Sequence, residues 1–343
     1  MLEMPKFRDY MRIGRLQTAP ATLLLLVISY LIGGGKLFSI SGLLLCVFAI
    51  FAHGTTFAHN SLMDTISGYD ARDPAKKTHP LVKGTVSINE ATKVINVGLF
   101  FVTIIAVLFI LLLNGNHFLA LVCLVFFITC GHWYNDNFSK ISVWKFIPIT
   151  LCFTFLAFYG FYLSSKHMSS LMLCVGVYFA LTLLFQISYS GELKDCFETK
   201  ETNLLRCLGA KVTRADGSFL LPEGFFIPHY AGFYGWGVKI VNVVVGGYIV
   251  YCFVPHPVSI ILFLFFAVLM MYFCHQLIKS RKWDRSKSLR DMSLEEVVTI
   301  YLIPAVLLPV VGYTEGIFLM VFGIIYFIIL NKINWGTTLR PRV

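Results

Sequence analysis

Asn60, Asp64, Asp70 and Asp73 fall within fourteen residues, with Arg72, Lys76, Lys77, His79 and Lys83 among or just after them. Asn60 and Asp64 are four apart, so on a continuing helix they share one face. Carboxylates grouped this way repel one another unless a cation or protons neutralise them. Hard oxygen ligands with bases beside them suit Mg²⁺ carrying a phosphorylated ligand. The competing reading is a solvated loop that ends one helix and carries its Lys and Arg as a topology signal. A second group lies far along the chain. Glu192, Asp195, Glu198 and Glu201 recur at every third position, with Lys194 and Lys200 among them. On a helix these acids form one stripe, while Leu204, Leu205 and Leu208 suggest an apolar contact and Gly209 a helix end. The segment reads either as an exposed amphipathic helix with internal ion pairs or as a second metal cluster under a cap.

The elements that must hold these groups are apolar. The chain has 343 residues, 57% of them hydrophobic and only 13% charged, with mean hydropathy +0.76. A soluble domain of this composition would have too little polar surface to cover itself. An all-α, multi-spanning bundle is therefore expected, because helices pair their own backbone groups in hydrocarbon. The net charge of +10 reports membrane topology and argues for no nucleic-acid partner. Nine cysteines are present without a CxxC pair, which fits small residues buried in helices.

Ten apolar runs are expected as spans: 19–35, 37–59, 94–113, 117–134, 145–164, 170–190, 231–253, 257–278, 295–312 and 315–331. With a cytoplasmic N-terminus, all but three of the 28 Lys and Arg fall on the cytoplasmic side. Lys36 and Lys166 lie outside and Lys239 within a span. Of the 18 acids, four lie in the loop after the second span and six in the loop after the sixth, both cytoplasmic. Acid loops four spans apart suggest two related four-helix halves around a central cavity, with a cytoplasmic cap, in one domain over residues 1–343.

Asn60, Asp64, Gly68 and Asp70, followed by His79, Pro80, Leu81, Val82, Lys83 and Gly84, form an Asn-x3-Asp-x3-Gly-x-Asp signature and then a basic-Pro-Leu-x-x-Gly run. This resembles the first motif of the UbiA-type intramembrane prenyltransferase superfamily, in a form similar to its naphthoate-prenylating, menaquinone-making branch. Glu192, Asp195 and Glu198 stand near the aspartates of that family's second motif, and Asn203-Leu204 near its Thr-Leu, although the usual Gly-Asp pair is missing. The stretch Tyr134 to Lys140 resembles its Tyr-rich loop after the fourth helix, and Arg15 to Pro20 its opening. The usual member has nine helices.

The resemblance implies transfer of an isoprenyl chain from a prenyl diphosphate to an aromatic quinone precursor or a lipid, at the cytoplasmic face of the membrane. It implies Mg²⁺ held by Asn60, Asp64, Asp70 and Asp73 on one segment and by Glu192, Asp195 and Glu198 on the other, with Asp64, Asp70 and Asp195 central to catalysis. Arg72, Lys83, Lys140 and Lys194 are the candidates for diphosphate contacts. Four further residues are candidates for supporting the ligands or meeting the acceptor. His53 is seven residues from Asn60 on the same face, His59 adjoins the motif, Tyr134 lies in the fourth-helix loop, and Lys239 is an intramembrane lysine that either serves function or snorkels to the interface. Two other readings compete. A terpene cyclase of the same superfamily would form the same allylic cation without an acceptor. A secondary transporter with inverted repeats would place ionisable or Gly/Pro-broken stretches at mid-membrane, whereas the acids here gather at the ends of spans.

Overall fold

A computed structural model describes residues 4–72, 74–135, 143–193, 203–213, 224–226, 229–279 and 285–336. Helices make up nearly all of them: α1 (Met4–Ile13), α2 (Ala19–Ile32), α3 (Ile40–Ile66), α4 (Tyr69–Arg72), α5 (Pro80–Lys83), α6 (Ile88–Leu112), α7 (His117–Asn135), α8 (Phe146–Tyr162) and α9 (Ser170–Phe185), the last continued by a π turn over Gln186–Gly191. They are followed by α10 (Leu204–Cys207), α11 (His229–Phe253), α12 (Pro257–Lys279), α13 (Arg285–Val306), α14 (Leu308–Val311) and α15 (Tyr313–Trp335). The one sheet among the described residues is a short antiparallel ribbon of β1 (Lys211–Thr213) and β2 (Gly224–Phe226).

Every expected apolar run coincides with a helix. Seven of them, α3, α6, α7, α9 with its π turn, α11, α12 and α15, are long and apolar enough to cross a bilayer unaided. The first run is shorter than expected; α2 reaches that length only with α1, from which it is bent by 51°. Helix α8 is apolar but has 17 residues. The ninth run is displaced. Its helix begins at Arg285, ten residues before the expected start, because three polar turns precede the apolar ones, and it breaks after Pro304.

Contacts between helices set their directions. His53 on α3 meets Thr18 and Thr22 at the start of α2, so α2 and α3 are antiparallel. Ser164, just past α8, donates to Tyr30 O at the end of α2, so α8 runs with α2. Gly176 of α9 faces Phe158 of α8, two turns from the loop joining them. The successive helices alternate, and the ends of α3, α7 and α9 emerge at the same end of the bundle as the start of α2. Both acid segments therefore leave the bundle at one end.

Helix α2 is the hub. It is buried without interruption from Thr22 to Leu31, among α3, α8, α13 and α15. An apolar helix hidden on every side belongs at the centre of a membrane bundle, while α3, α6 and α12 present Val47, Phe100, Leu112, Val268 and similar side chains outward. Between two apolar helices in lipid, close packing replaces the hydrophobic effect as the main attraction. Gly160 supplies it between α2 and α8: a Cβ there would lie 2.5 Å from Leu26 O. Gly160→Leu is expected to force the helices apart and destabilise the protein by roughly 1–3 kcal/mol, seen as a lower midpoint of thermal unfolding in detergent.

Candidate functional site

The first acid segment is built where α3 leaves the bundle. Ser61 donates to Ile13 O at 3.0 Å, tying this end of α3 to the N-terminal turn. His53, two turns deeper, has Nδ1 2.8 Å from Thr22 Oγ1 and Nε2 3.1 Å from Thr18 Oγ1 and 3.3 Å from Arg15 O. Both ring nitrogens are engaged, so His53 fixes α3 against the chain entering α2. The helix ends at Ile66, and Gly68 turns the chain with φ +73°, a left-handed conformation that favours glycine. That turn starts α4, where Asp70 is 1% exposed with Lys76 Nζ 3.9 Å from its Oδ1.

The Pro-Leu-x-x-Gly run is a local anchor. Pro80 opens α5 at a position where a missing N–H costs nothing, Leu81 is buried, and Gly84 closes the helix at φ +77°. Leu81 and Val86 pack with Ile13, Leu62, Ala91 and Ile95 in a small core under the loop. Ser87 then caps α6, accepting from Glu90 N at 3.2 Å. Arg12 reaches across to donate to Thr78 O at 3.1 Å while its guanidinium lies 4.2 Å over Trp335, so α1 and the end of α15 both brace the loop. His79 is 6% exposed. Burial, and then Lys76, Arg15 and Arg12, push its imidazole down to about 3, leaving it neutral at neutral pH.

Asn60 is buried and its Nδ2 donates to Asn135 Oδ1 at 3.0 Å. Asn135 Nδ2 lies 3.0 Å from His59 Nδ1, and the His59 ring meets the His132 ring edge-on at 5.3 Å. Asp64, one turn on from Asn60, is half-buried, Tyr134 is half-buried against the main core, and Lys83 is exposed. Asp73, Lys140, Lys194, Asp195 and Glu198 lie outside the described residues, as does the side chain of Arg72. Among the described residues no three His, Cys, Asp or Glu side chains form a metal-holding group.

The second segment starts at the π turn. Glu192 is fully buried, and its Oε2 accepts from Leu205 N at 3.1 Å while its carbonyl accepts from Asn203 Nδ2 at 3.2 Å. Asn203 in turn caps α10 through Arg206 N, and Gly209 ends that turn at φ +90°. The expected leucine contact is present: Leu205 sits with Phe185, Tyr189, Leu193, Cys274 and Leu277 in a core that seats α10 across the ends of α9, α11 and α12. Glu192 thus ties the end of the π turn to the start of α10.

Lys239 does not snorkel. It is wholly buried, ten residues into α11, or about 15 Å along the helix. It pairs with Glu295 of α13, donates to Thr299 Oγ1 at 3.2 Å, and lies 4.1 Å over the Phe185 ring. Thr299 Oγ1 donates to Glu295 Oε1 at 2.8 Å, and Gln186, the first residue of the π turn, donates to Glu295 Oε2. Glu295 corrects the expectation that acids keep to the ends of spans, since α13 carries it three turns into the bundle. Sequence reasoning passed over Glu295, Gln186, Thr299 and Asn135. A lysine inside an apolar run was the available signal that an acid lay opposite, and Asn135 stood between two residues already singled out.

No protein-family model matches the sequence, and no curated protein matches it. Solved structures do. A UbiA homologue from Archaeoglobus fulgidus bound to DMAPP and Mg²⁺ superposes with TM-score 0.61 at 12% identity, covering 91% of this chain and 99% of that one. An apo UbiA homologue from Aeropyrum pernix K1 gives 0.63 at 13%, covering 85% and 97%. A digeranylgeranylglyceryl phosphate synthase gives 0.55 at 15%, covering 92% and 99%. This chain has the UbiA fold. In it, Asn60 and Asp64 lie at the end of α3, Asp70 in α4 and the Pro-Leu-x-x-Gly anchor at α5, and α9 with its π turn ends at the same end of the bundle.

The buried charges give a test of this architecture. Breaking a desolvated pair leaves one charge uncompensated and costs about 3–5 kcal/mol, whereas removing both is far milder. Lys239→Met is therefore expected to lower stability in detergent sharply, and Lys239→Met with Glu295→Gln to recover more than half of the loss. A double variant as unstable as the single one contradicts the pairing.

Proposed function

We propose that the protein is an integral membrane prenyltransferase that uses Mg²⁺ and an isoprenyl diphosphate, with its active site at the cytoplasmic end of the bundle. The observation that carries this reading is the Asn60–Asp64–Asp70 motif at the helix end of a chain with the UbiA fold, which homologues bound to DMAPP or GPP with Mg²⁺ share. The acceptor is an aromatic quinone precursor or a lipid. The Gly68 spacing favours the naphthoate-type aromatic ring.

The donor set fits a hard cation. Asn60 Oδ1 has no hydrogen-bond partner among the described residues, and the neighbouring ligands are carboxylates. Asn60, Asp64, Asp70 and Asp73 on the first segment and Glu192, Asp195 and Glu198 on the second would hold Mg²⁺, which when bound supplies Lewis-acid neutralisation of a leaving diphosphate. Arg72, Lys83, Lys140 and Lys194 add fixed positive charge for the phosphoryl oxygens. Lys76 sets Asp70 in place, and the neutral imidazole of His79 avoids a further charge in the buried loop. The allylic C–O bond breaks with its electron pair leaving on diphosphate, the allylic carbon bonds to the acceptor, and the acceptor gives up a proton. Apolar and aromatic helix faces keep water from the cation, and the prenyl tail lies among them in contact with lipid.

Diphosphate release from radiolabelled geranylgeranyl diphosphate in membranes, with and without Mg²⁺, tests the reading. Asp64→Ala is expected to lower release by about 10²-fold or more while the protein remains inserted, since losing several kcal/mol of transition-state charge stabilisation has that effect. Near-normal release in this variant contradicts the metal assignment. Release that is independent of any aromatic or lipid acceptor identifies a cyclase instead.

A further inference from the structure

An asparagine amide has nearly the same shape at either end, so packing alone does not decide which end faces a site. Asn60 is such a residue. Its Nδ2 is committed to Asn135 Oδ1 at 3.0 Å, and its Oδ1 has no hydrogen-bond partner among the described residues. The order of the chain behind it is set one step further back. Asn135 Nδ2 points at His59 Nδ1 at 3.0 Å, and in the tautomer that carries its proton on Nε2 this nitrogen accepts a hydrogen bond. With its Nδ2 spent on His59, Asn135 can offer Asn60 only an acceptor. Asn60 must then turn its own Nδ2 inward and leave its carbonyl oxygen facing outward.

We infer that Asn135 is a positioning residue that orients the Asn60 amide, through the Asn60–Asn135–His59 relay, so that a carbonyl oxygen and not an NH₂ group faces the cation site. This rests on the Mg²⁺-dependent reading above. Two features make the relay selective. Asn135 is 2% exposed and Asn60 9%, so water is a poor substitute for either partner. The relay also joins residues 75 positions apart in sequence, bringing the last residue of α7 against the motif end of α3. An inverted Asn60 would present two N–H groups to a divalent cation, which neither ligate nor neutralise it. Partners behind a metal ligand typically change metal affinity by about 10- to 100-fold when removed.

The test uses the full chain purified in detergent, read in two ways. The first is the Mg²⁺ concentration giving half-maximal diphosphate release from farnesyl diphosphate; the second is Mn²⁺ binding followed by the EPR signal of the free ion. Asn135→Leu, similar in volume but without polar atoms, is expected to raise both constants about 10- to 100-fold, with turnover largely recovered at saturating Mg²⁺. Asn135→Asp still offers an acceptor to Asn60 Nδ2 and is expected to restore both constants to within about threefold of the wild type. His59→Phe keeps a ring beside His132 but removes the acceptor behind Asn135, so it should shift both constants in the same direction. It also serves if Asn135→Leu does not insert. A residue that merely packs would alter stability at every Mg²⁺ concentration and leave the metal constants unmoved, and that result in the Leu and Phe variants overturns the inference while leaving the prenyltransferase reading intact. A wild-type protein whose diphosphate release ignores Mg²⁺ overturns both.

Discussion

Hydrocarbon tolerates neither an unpaired backbone group nor an unpaired charge, and that constraint shapes this molecule. The apolar helices satisfy their own backbones, with α2 buried at the centre and small residues such as Gly160 allowing close approach. Within the bundle, Glu295 answers the charge of Lys239, with Gln186 and Thr299 completing its hydrogen bonds. Asp64 lies at the end of α3, and Glu192 follows the π turn that ends α9. Because successive helices alternate in direction, the ends of α3 and α9 fall together, and a bundle built to exclude charge presents two acid segments at one end.

Structure around the first segment follows from its own residues. Gly68 and Gly84 supply the two left-handed turns, Leu81 and Val86 pin the loop onto a small core, and Arg12 links it to α1 and α15. The glycines and apolar residues of the motif therefore shape the loop, and its polar side chains are left to meet a ligand. The buried Lys239–Glu295 pair lies beneath the second segment and reaches it through Gln186, six residues before Glu192. The π turn between them is the local irregularity that carries the chain from an apolar helix to an acid loop, a role such turns often serve near functional sites.

Much of this was legible in the sequence, because hydrophobic run length reports helices directly and the Asn-x3-Asp-x3-Gly-x-Asp spacing reports a helix end followed by a turn. The helices expected at 37–59 and 257–278 stand at Ile40–Ile66 and Pro257–Lys279. What was not legible is where polar and long-range pairing decide. The first three turns of α13 are too polar to register as part of a span, so Glu295 looked like a boundary residue although it is buried inside the bundle. Asn135 was passed over, because its partner lies 75 residues away and no local periodicity announces it. At 12–15% identity the fold is shared with UbiA homologues through the pattern of apolar helices, while the chemistry is argued from a few polar residues at their ends.

The central claim is that the two acid segments act on one ligand. An experimental structure of the protein with Mg²⁺ and a non-hydrolysable farnesyl thiodiphosphate tests it most directly. The account predicts the diphosphate group lodged at the end of the bundle between Asp64 and Asp195, with the tail running inward among the helices. A ligand bound elsewhere, or Asp64 and Asp195 too far apart to share it, would contradict the account.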